Sequence, residues 1–172
     1  MHRKMYCLFL FAVALAFVPA ATAFAQKQPI GFYRLDFVLR ESDNGKLVNT
    51  RNYSMWLKTD GAWATLRAGN DIPSYAGDKP GLSYRNVGVQ LDSALEEIDN
   101  NPSVTISASI GIVLPAEQSN EPKSLTPVFR NIAFKAAALL TPGKPMMISS
   151  IDDPNSTRRY QLEVTATKLK KE

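Results

Sequence analysis

The chain has 172 residues, a formal net charge of +4, one Cys and one His. The His is His2 and the Cys is Cys7, and both sit in an N-terminal stretch with the form of a secretory signal. Without that stretch, no Ser-His-Asp triad, Cys nucleophile, Cys/His zinc site, haem attachment or disulfide can be built.

Residues 1–25 have three parts. Arg3 and Lys4 supply a positive start, Leu8 to Val18 is an uncharged apolar run, and Ala23-Phe24-Ala25 offers a small-x-small cleavage site before Gln26. The alternative is a membrane anchor, but the run is shorter than the ~20 residues a spanning helix needs and Pro19 interrupts it. Export with cleavage near Ala25-Gln26 is therefore expected, to the periplasm or beyond the cell. The expected organisation is a signal at 1–25 and one β domain at 26–172. Cleavage removes Arg3 and Lys4 and leaves 147 residues with a net charge of +2. That balance, with no interior basic run, argues against a nucleic-acid partner. A domain of this size without cysteine must rest on an apolar core.

Taken in chain order, the pattern is alternation with period two, punctuated by turns. Phe32 to Arg40 sets Tyr33, Leu35, Phe37 and Leu39 on one face, the mark of a half-buried strand. Asp43-Asn44-Gly45 is a hairpin signal, because Asn-Gly tolerates positive φ at both central positions. A return strand is expected over Lys46 to Lys58. Thr59-Asp60-Gly61 then turns into Ala62 to Ala68, so these three strands read as a meander. Gly69 to Gly81, rich in Gly and Pro, is expected to be a surface loop.

Leu82 to Ile98 resumes the strand pattern, with Val87, Val89, Leu91, Ser93 and Leu95 on one face. Gly88 marks a bulge or a close backbone approach. Asp99-Asn100-Asn101-Pro102 is a turn. Ser103 to Leu114 is the clearest strand, with Val104, Ile106, Ala108, Ile110 and Ile112 facing one way. Pro115 to Pro127 reads as a long loop. Val128 to Leu140 is Ala-rich, but its Val, Ile and Phe positions give no helical stripe, so a strand is expected. Met146 to Ile151 and Arg159 to Leu169 complete the set, the last with Tyr160, Leu162, Val164 and Ala166 on one face.

About eight short strands with no amphipathic helix predict an all-β protein, an antiparallel sandwich or barrel-like sheet. Eight strands would also suffice for an outer-membrane barrel. Arg34, Asp36, Arg51, Lys58 and Arg67 interrupt the apolar faces too often for that, so the soluble sheet is preferred.

The order of motifs in the second half resembles a known family. Ala68-Gly69-Asn70-Asp71-Ile72-Pro73 precedes Tyr84-Arg85-Asn86-Val87-Gly88-Val89-Gln90-Leu91. Val104-Thr105-Ile106-Ser107 and Pro127-Val128-Phe129-Arg130 follow. Thr141-Pro142-Gly143-Lys144-Pro145-Met146-Met147-Ile148 and Leu162-Glu163-Val164-Thr165-Ala166-Thr167 close the series. The series resembles the C-terminal domain of the secretins, the outer-membrane channels of secretion systems and type IV pili, over residues 68–169. The resemblance implies a secretin-like sheet. Only Asp152 to Thr157 stands where secretins carry a Pro-, Gly- and Leu-rich insertion. The chain also lacks length for their periplasmic ring modules. Both departures favour a borrowed sheet over a pore.

Candidate sites are sparse. Glu96, Glu97 and Asp99 could pair as carboxylates, but adjacent strand residues point to opposite faces, which favours a solvated strand end. Asp152, Asp153 and Asn155 fit turn chemistry better than calcium ligation. Asn155-Ser156-Thr157 matches a short glycosylation acceptor. Trp56 and Trp63 could grip a sugar or a protein if exposed, although core burial is the commoner use. Arg158 and Arg159 could contact an anionic surface, or simply be solvated beside a turn. The interaction candidates are Trp56, Trp63, Ile72, Tyr75, Arg158 and Arg159. No catalytic, cofactor or metal residue is expected. The expected role is non-enzymatic interaction or assembly in a bacterial envelope. The partner would be an envelope protein or a second copy, held through a sheet edge or the long loops. Membrane contact is possible but not expected. A small-ligand or carbohydrate binding module is the alternative.

Overall fold

The computed structural model describes residues 30–75, 82–114 and 128–169. The expected signal and the expected loop over 115–127 lie outside these residues, as does the 76–81 part of the other loop. Eight strands follow in chain order: β1 (Phe32–Asp43), β2 (Lys46–Lys58), β3 (Ala64–Tyr75), β4 (Leu82–Ile98), β5 (Asn101–Leu114), β6 (Val128–Leu139), β7 (Met146–Asp152) and β8 (Arg158–Lys168). They form two four-stranded antiparallel sheets, with orders β2-β1-β8-β7 and β3-β4-β5-β6. The all-β sandwich expected from the alternation is what forms.

The alternation explains the packing. Tyr33, Leu35, Phe37 and Leu39 of β1 meet Tyr160, Leu162, Val164 and Ala166 of β8 in one buried layer. Val89, Leu91 and Leu95 of β4 and Val104, Ile106, Ala108 and Ile110 of β5 supply the opposing layer of the same cluster. At roughly 1.5–3 kcal/mol for each fully buried large side chain, this layer outweighs exposed ion pairs at about 0–1 kcal/mol each. The fold therefore stands on its core.

Two expectations about connection change. The first three strands are not a meander, because β3 leaves β2 and joins the other sheet. β3 pairs instead with β4, from Ala64–Ser93 to Tyr75–Leu82, and the outer side of β2 carries no strand among the described residues. Gly61, at φ 74, and the Gly61 N–H bond to the Leu95 carbonyl carry the chain across. The expected loop from Gly69 is also partly strand, since β3 continues to Tyr75. An edge strand tolerates Pro73, whose missing N–H is not needed on the open side. The turn after β4 is tighter than expected. Asp99 and Asn100 alone hold positive φ, and Asn101 and Pro102 already pair with Ile98 and Glu97.

Three glycines lie in register across one sheet, Gly69 opposite Gly88 and Gly88 opposite Gly111. Gly88 has φ 142, and a Cβ there would sit 2.3 Å from the Ala68 carbonyl oxygen. A Cβ on Gly111 would sit 2.5 Å from the Asn86 carbonyl oxygen. Pairing of β4 with β5 stops at Gly88–Gly111, while β3 stays paired with β4 out to Tyr75–Leu82. The outer part of that hairpin therefore departs from β5 at a glycine crease. This is the close backbone approach that Gly88 signalled.

Candidate interaction site

The sandwich is fastened differently at its two ends. At the end where β1 starts, Lys168 of β8 pairs with Glu97 of β4 at 2.5 Å. The Tyr33 hydroxyl donates to the same carboxylate at 3.2 Å. The Glu97 side chain is 11% exposed, so the solvated strand end expected for it becomes a link between sheets. Burial, followed by the Glu97 charge, pushes the Tyr33 phenol up from its ordinary value. Glu96 and Glu97 do diverge, as alternation requires: Glu96 is exposed and lies beside Gly61.

At the other end the link runs through Asp153, in the β7–β8 turn, whose side chain is 1% exposed. Arg130 of β6 donates to it at 2.6 Å, the Ser156 hydroxyl at 2.6 Å and the Asn155 backbone N–H at 3.0 Å. Burial alone would raise the carboxyl pKa. Donation from Ser156, Asn155 and Arg130 outweighs it and leaves the pKa below the ordinary value. The turn chemistry expected at Asp152–Asn155 is present, with an ion pair added to it.

Between the sheets, at this second end, lies a cleft of about 410 Å³. Its walls include Leu39, Glu41, Arg51, Arg158 and Tyr160 from one sheet, and Gly69, Gly88, Ile110 and Ile112 from the other. Arg158 Nη1 donates to Glu41 Oε1 at 2.9 Å, and the Tyr160 hydroxyl donates weakly to the same oxygen at 3.4 Å. Burial, then the Glu41 charge, raises the Tyr160 pKa. The glycine crease opens this cleft, because the β3–β4 hairpin leaves β5 there and brings bare backbone to the wall.

The interaction candidates named from sequence are not brought together. Trp56 and Trp63 are 67% and 53% exposed, so the preferred core burial is not what forms. Met55 and Leu57 take the inward positions of β2, and the alternation turns Trp56 out. Trp63 stands before β3 with the Lys135 ammonium 5.6 Å from its ring centroid. Neither tryptophan lines the cleft. Ile72 is half-buried on β3 opposite Arg85. Tyr75 ends β3 opposite Leu82, and its side chain lies outside what is described. Arg158 turns into the cleft, whereas Arg159 lies on the outer face with Asp152 at 2.6 Å.

Sequence reasoning missed Glu41, Arg51 and Arg130, and read Asp153 as turn chemistry without its ion pair to Arg130. A signal existed for two of them. Leu35, Phe37 and Leu39 extend by period two to Glu41, and Leu57, Met55 and Tyr53 extend to Arg51. Each inward stripe thus ends on a charge.

Among the described residues each sheet also keeps two open edges. β2 and β7 bound one sheet, β3 and β6 the other, and β2, β3 and β6 are each 12 or 13 residues long. Among the described residues no group of three or more His, Cys, Asp or Glu could hold a metal ion. No helix among them is long and apolar enough to cross a membrane.

No family model matches the chain, and no curated protein matches it. Solved structures do. The Salmonella SPI-1 type III secretion injectisome secretin InvG aligns with 100% of this chain and 71% of its own, at 8% identity and TM-score 0.50. The Klebsiella pneumoniae type II secretion outer membrane complex of PulD, PulS and the PulC HR domain aligns with 83% of this chain and 39% of its own, at 10% identity and TM-score 0.51. The chain spans 63% of the InvG secretin domain β-barrel and 66% of the GspD secretin of enteropathogenic Escherichia coli. The fold is thus shared with secretin domains. The likeness also reaches past the segment 68–169 from which the sequence suggested it. The InvG alignment covers 100% of this chain, β1 and β2 included.

Proposed function

We propose that this chain is an exported, non-enzymatic component of a bacterial envelope that assembles through its sheet edges, with itself or with an envelope protein. The observation that carries this is the set of open edges, three of them long. Among the described residues each has no strand on its outer side, and such an edge can template another strand. The fold shared with secretin domains supports it, since one of those solved assemblies combines PulD, PulS and the PulC HR domain. The signal-like segment 1–25 supports export.

Crosslinking in cells, followed by mass spectrometry, tests the proposal. Crosslinks from β2, β3 or β6 to a second copy or to an envelope protein are expected. Proline at Ala136 and at Ala137 of β6 sharpens the test. On an edge strand, one of two successive N–H groups points to the neighbour and the other to solvent. The variant that still unfolds cooperatively should lose the β6 crosslinks. A chain that yields no crosslink at any edge would sink the proposal.

A further inference from the structure

Three adjacent strands of one sheet carry their inward stripes into charge at the same end. These are Glu41 after Leu39 on β1, Arg51 before Tyr53 on β2, and Arg158 before Tyr160 on β8. Arg51 is exposed and the Arg158 side chain is 41% exposed, so both guanidinium groups stand on the solvent side of the cleft. Arg158 is engaged by Glu41 at 2.9 Å. Arg51 makes no ion pair among the described residues, and Glu41 is the sole carboxylate lining the cleft. The cleft walls therefore carry two guanidinium groups against one carboxylate that is already engaged.

The remaining surroundings fit one kind of guest. Leu39, Ile110 and Ile112 make an apolar floor, and the facing wall at Gly69 and Gly88 is bare backbone. The volume, about 410 Å³, lies in the range of small-molecule sites. We propose that this cleft binds a small carboxylate with an apolar body. Arg51 holds the carboxylate as a fork, and the apolar end lies on Leu39, Ile110 and Ile112. Arg158 orients the site through Glu41 and is not the primary anion contact. The proposal is independent of edge pairing, because the cleft lies on the inward face.

The test is titration of the purified protein with sodium hexanoate, followed by heat and by NMR, with 1-hexanol and hexylammonium as controls. Saturable one-site binding of hexanoate is expected, with weaker binding of both controls. Arg51→Gln should weaken hexanoate binding about tenfold, the scale of one charge-assisted hydrogen bond. Arg51→Lys should recover part of it, since the charge stays and the fork is lost. The unfolding midpoint without hexanoate should stay close to that of the unchanged protein in both variants. Either of two results overturns the proposal. One is no saturable binding up to about 50 mM, weaker than even the low per-atom efficiency of drug-sized ligands would give hexanoate. The other is equal binding by the unchanged chain and a folded Arg51→Gln variant. If Arg51→Gln does not fold, equal hexanoate binding by Arg51→Lys and the unchanged protein overturns it instead.

Discussion

Replacing Arg130 by Met tests whether the Asp153 link holds the two sheets together. The substitution keeps an unbranched apolar stem that ends near the position of the guanidinium Nε, and removes every donor. Asp153, with its side chain 1% exposed, then keeps only the Ser156 hydroxyl and the Asn155 N–H. Breaking a fully buried pair costs about 3–5 kcal/mol. Arg130 is 22% exposed and two donors remain, so a cost of about 2 kcal/mol is expected. For a domain of this size that lowers the unfolding midpoint by roughly 4–8 °C. Urea unfolding followed by tryptophan fluorescence and by far-ultraviolet circular dichroism measures it. The pH dependence gives a second check. The Asp153 pKa is lowered in the folded protein, so the unfolded chain binds the proton more readily. The stabilisation is therefore fully present above the unfolded carboxylate value near pH ~4 and is lost as pH falls through the folded value. Asp153→Asn should be less stable than the unchanged protein at pH 7, and that difference should shrink toward pH 3. A cost of less than about 0.5 kcal/mol for Arg130→Met, or a difference that does not change with pH, would refute the reasoning.

Other substitutions separate the core from the surface. Ser93 is fully buried and its hydroxyl has no hydrogen-bond partner among the described residues, so Ser93→Ala should raise stability by up to about 1 kcal/mol in the same urea titration. Gly88→Ala should cost about 3 kcal/mol in that titration, because a Cβ would strike backbone at 2.3 Å and φ is 142. Trp63→Ala should cost less than about 1 kcal/mol, while Leu57→Ala should cost about 3 kcal/mol. The smaller residue is the more costly to lose because Leu57 is buried and Trp63 is not.

The strands were legible because their alternation is strict. Tyr33, Leu35, Phe37 and Leu39, and likewise Val104 to Ile110, give both the element and its buried face. Which sheet a strand joins was not legible. Nothing local to Ala64–Tyr75 says that it passes β2 and pairs with β4, since a strand laid on the outer side of β2 would fit the same alternation. Trp56 shows composition losing to register: a large aromatic favours burial, but Met55 and Leu57 fix the parity of β2 and turn it out. Asp153 shows the reverse limit. Its turn chemistry was readable from Asp-Pro-Asn, but its pairing with Arg130 depends on how β6 meets the other sheet. The cleft was half visible, in stripes that run from Leu39 to Glu41 and from Tyr53 to Arg51. Its depth comes from the crease at Gly69, Gly88 and Gly111, which needs the register of three strands at once.

The most direct measurement is the mass of the purified protein in solution across a range of concentrations, by light scattering or analytical ultracentrifugation. It should be made beside the folded β6 proline variant and with extracts of the envelope added. Assembly through sheet edges leads to a mass above one chain, either alone or with an envelope protein bound, and to its loss or reduction in the variant. A single chain at every concentration, unchanged by envelope extract and identical to the variant, would contradict edge-mediated assembly.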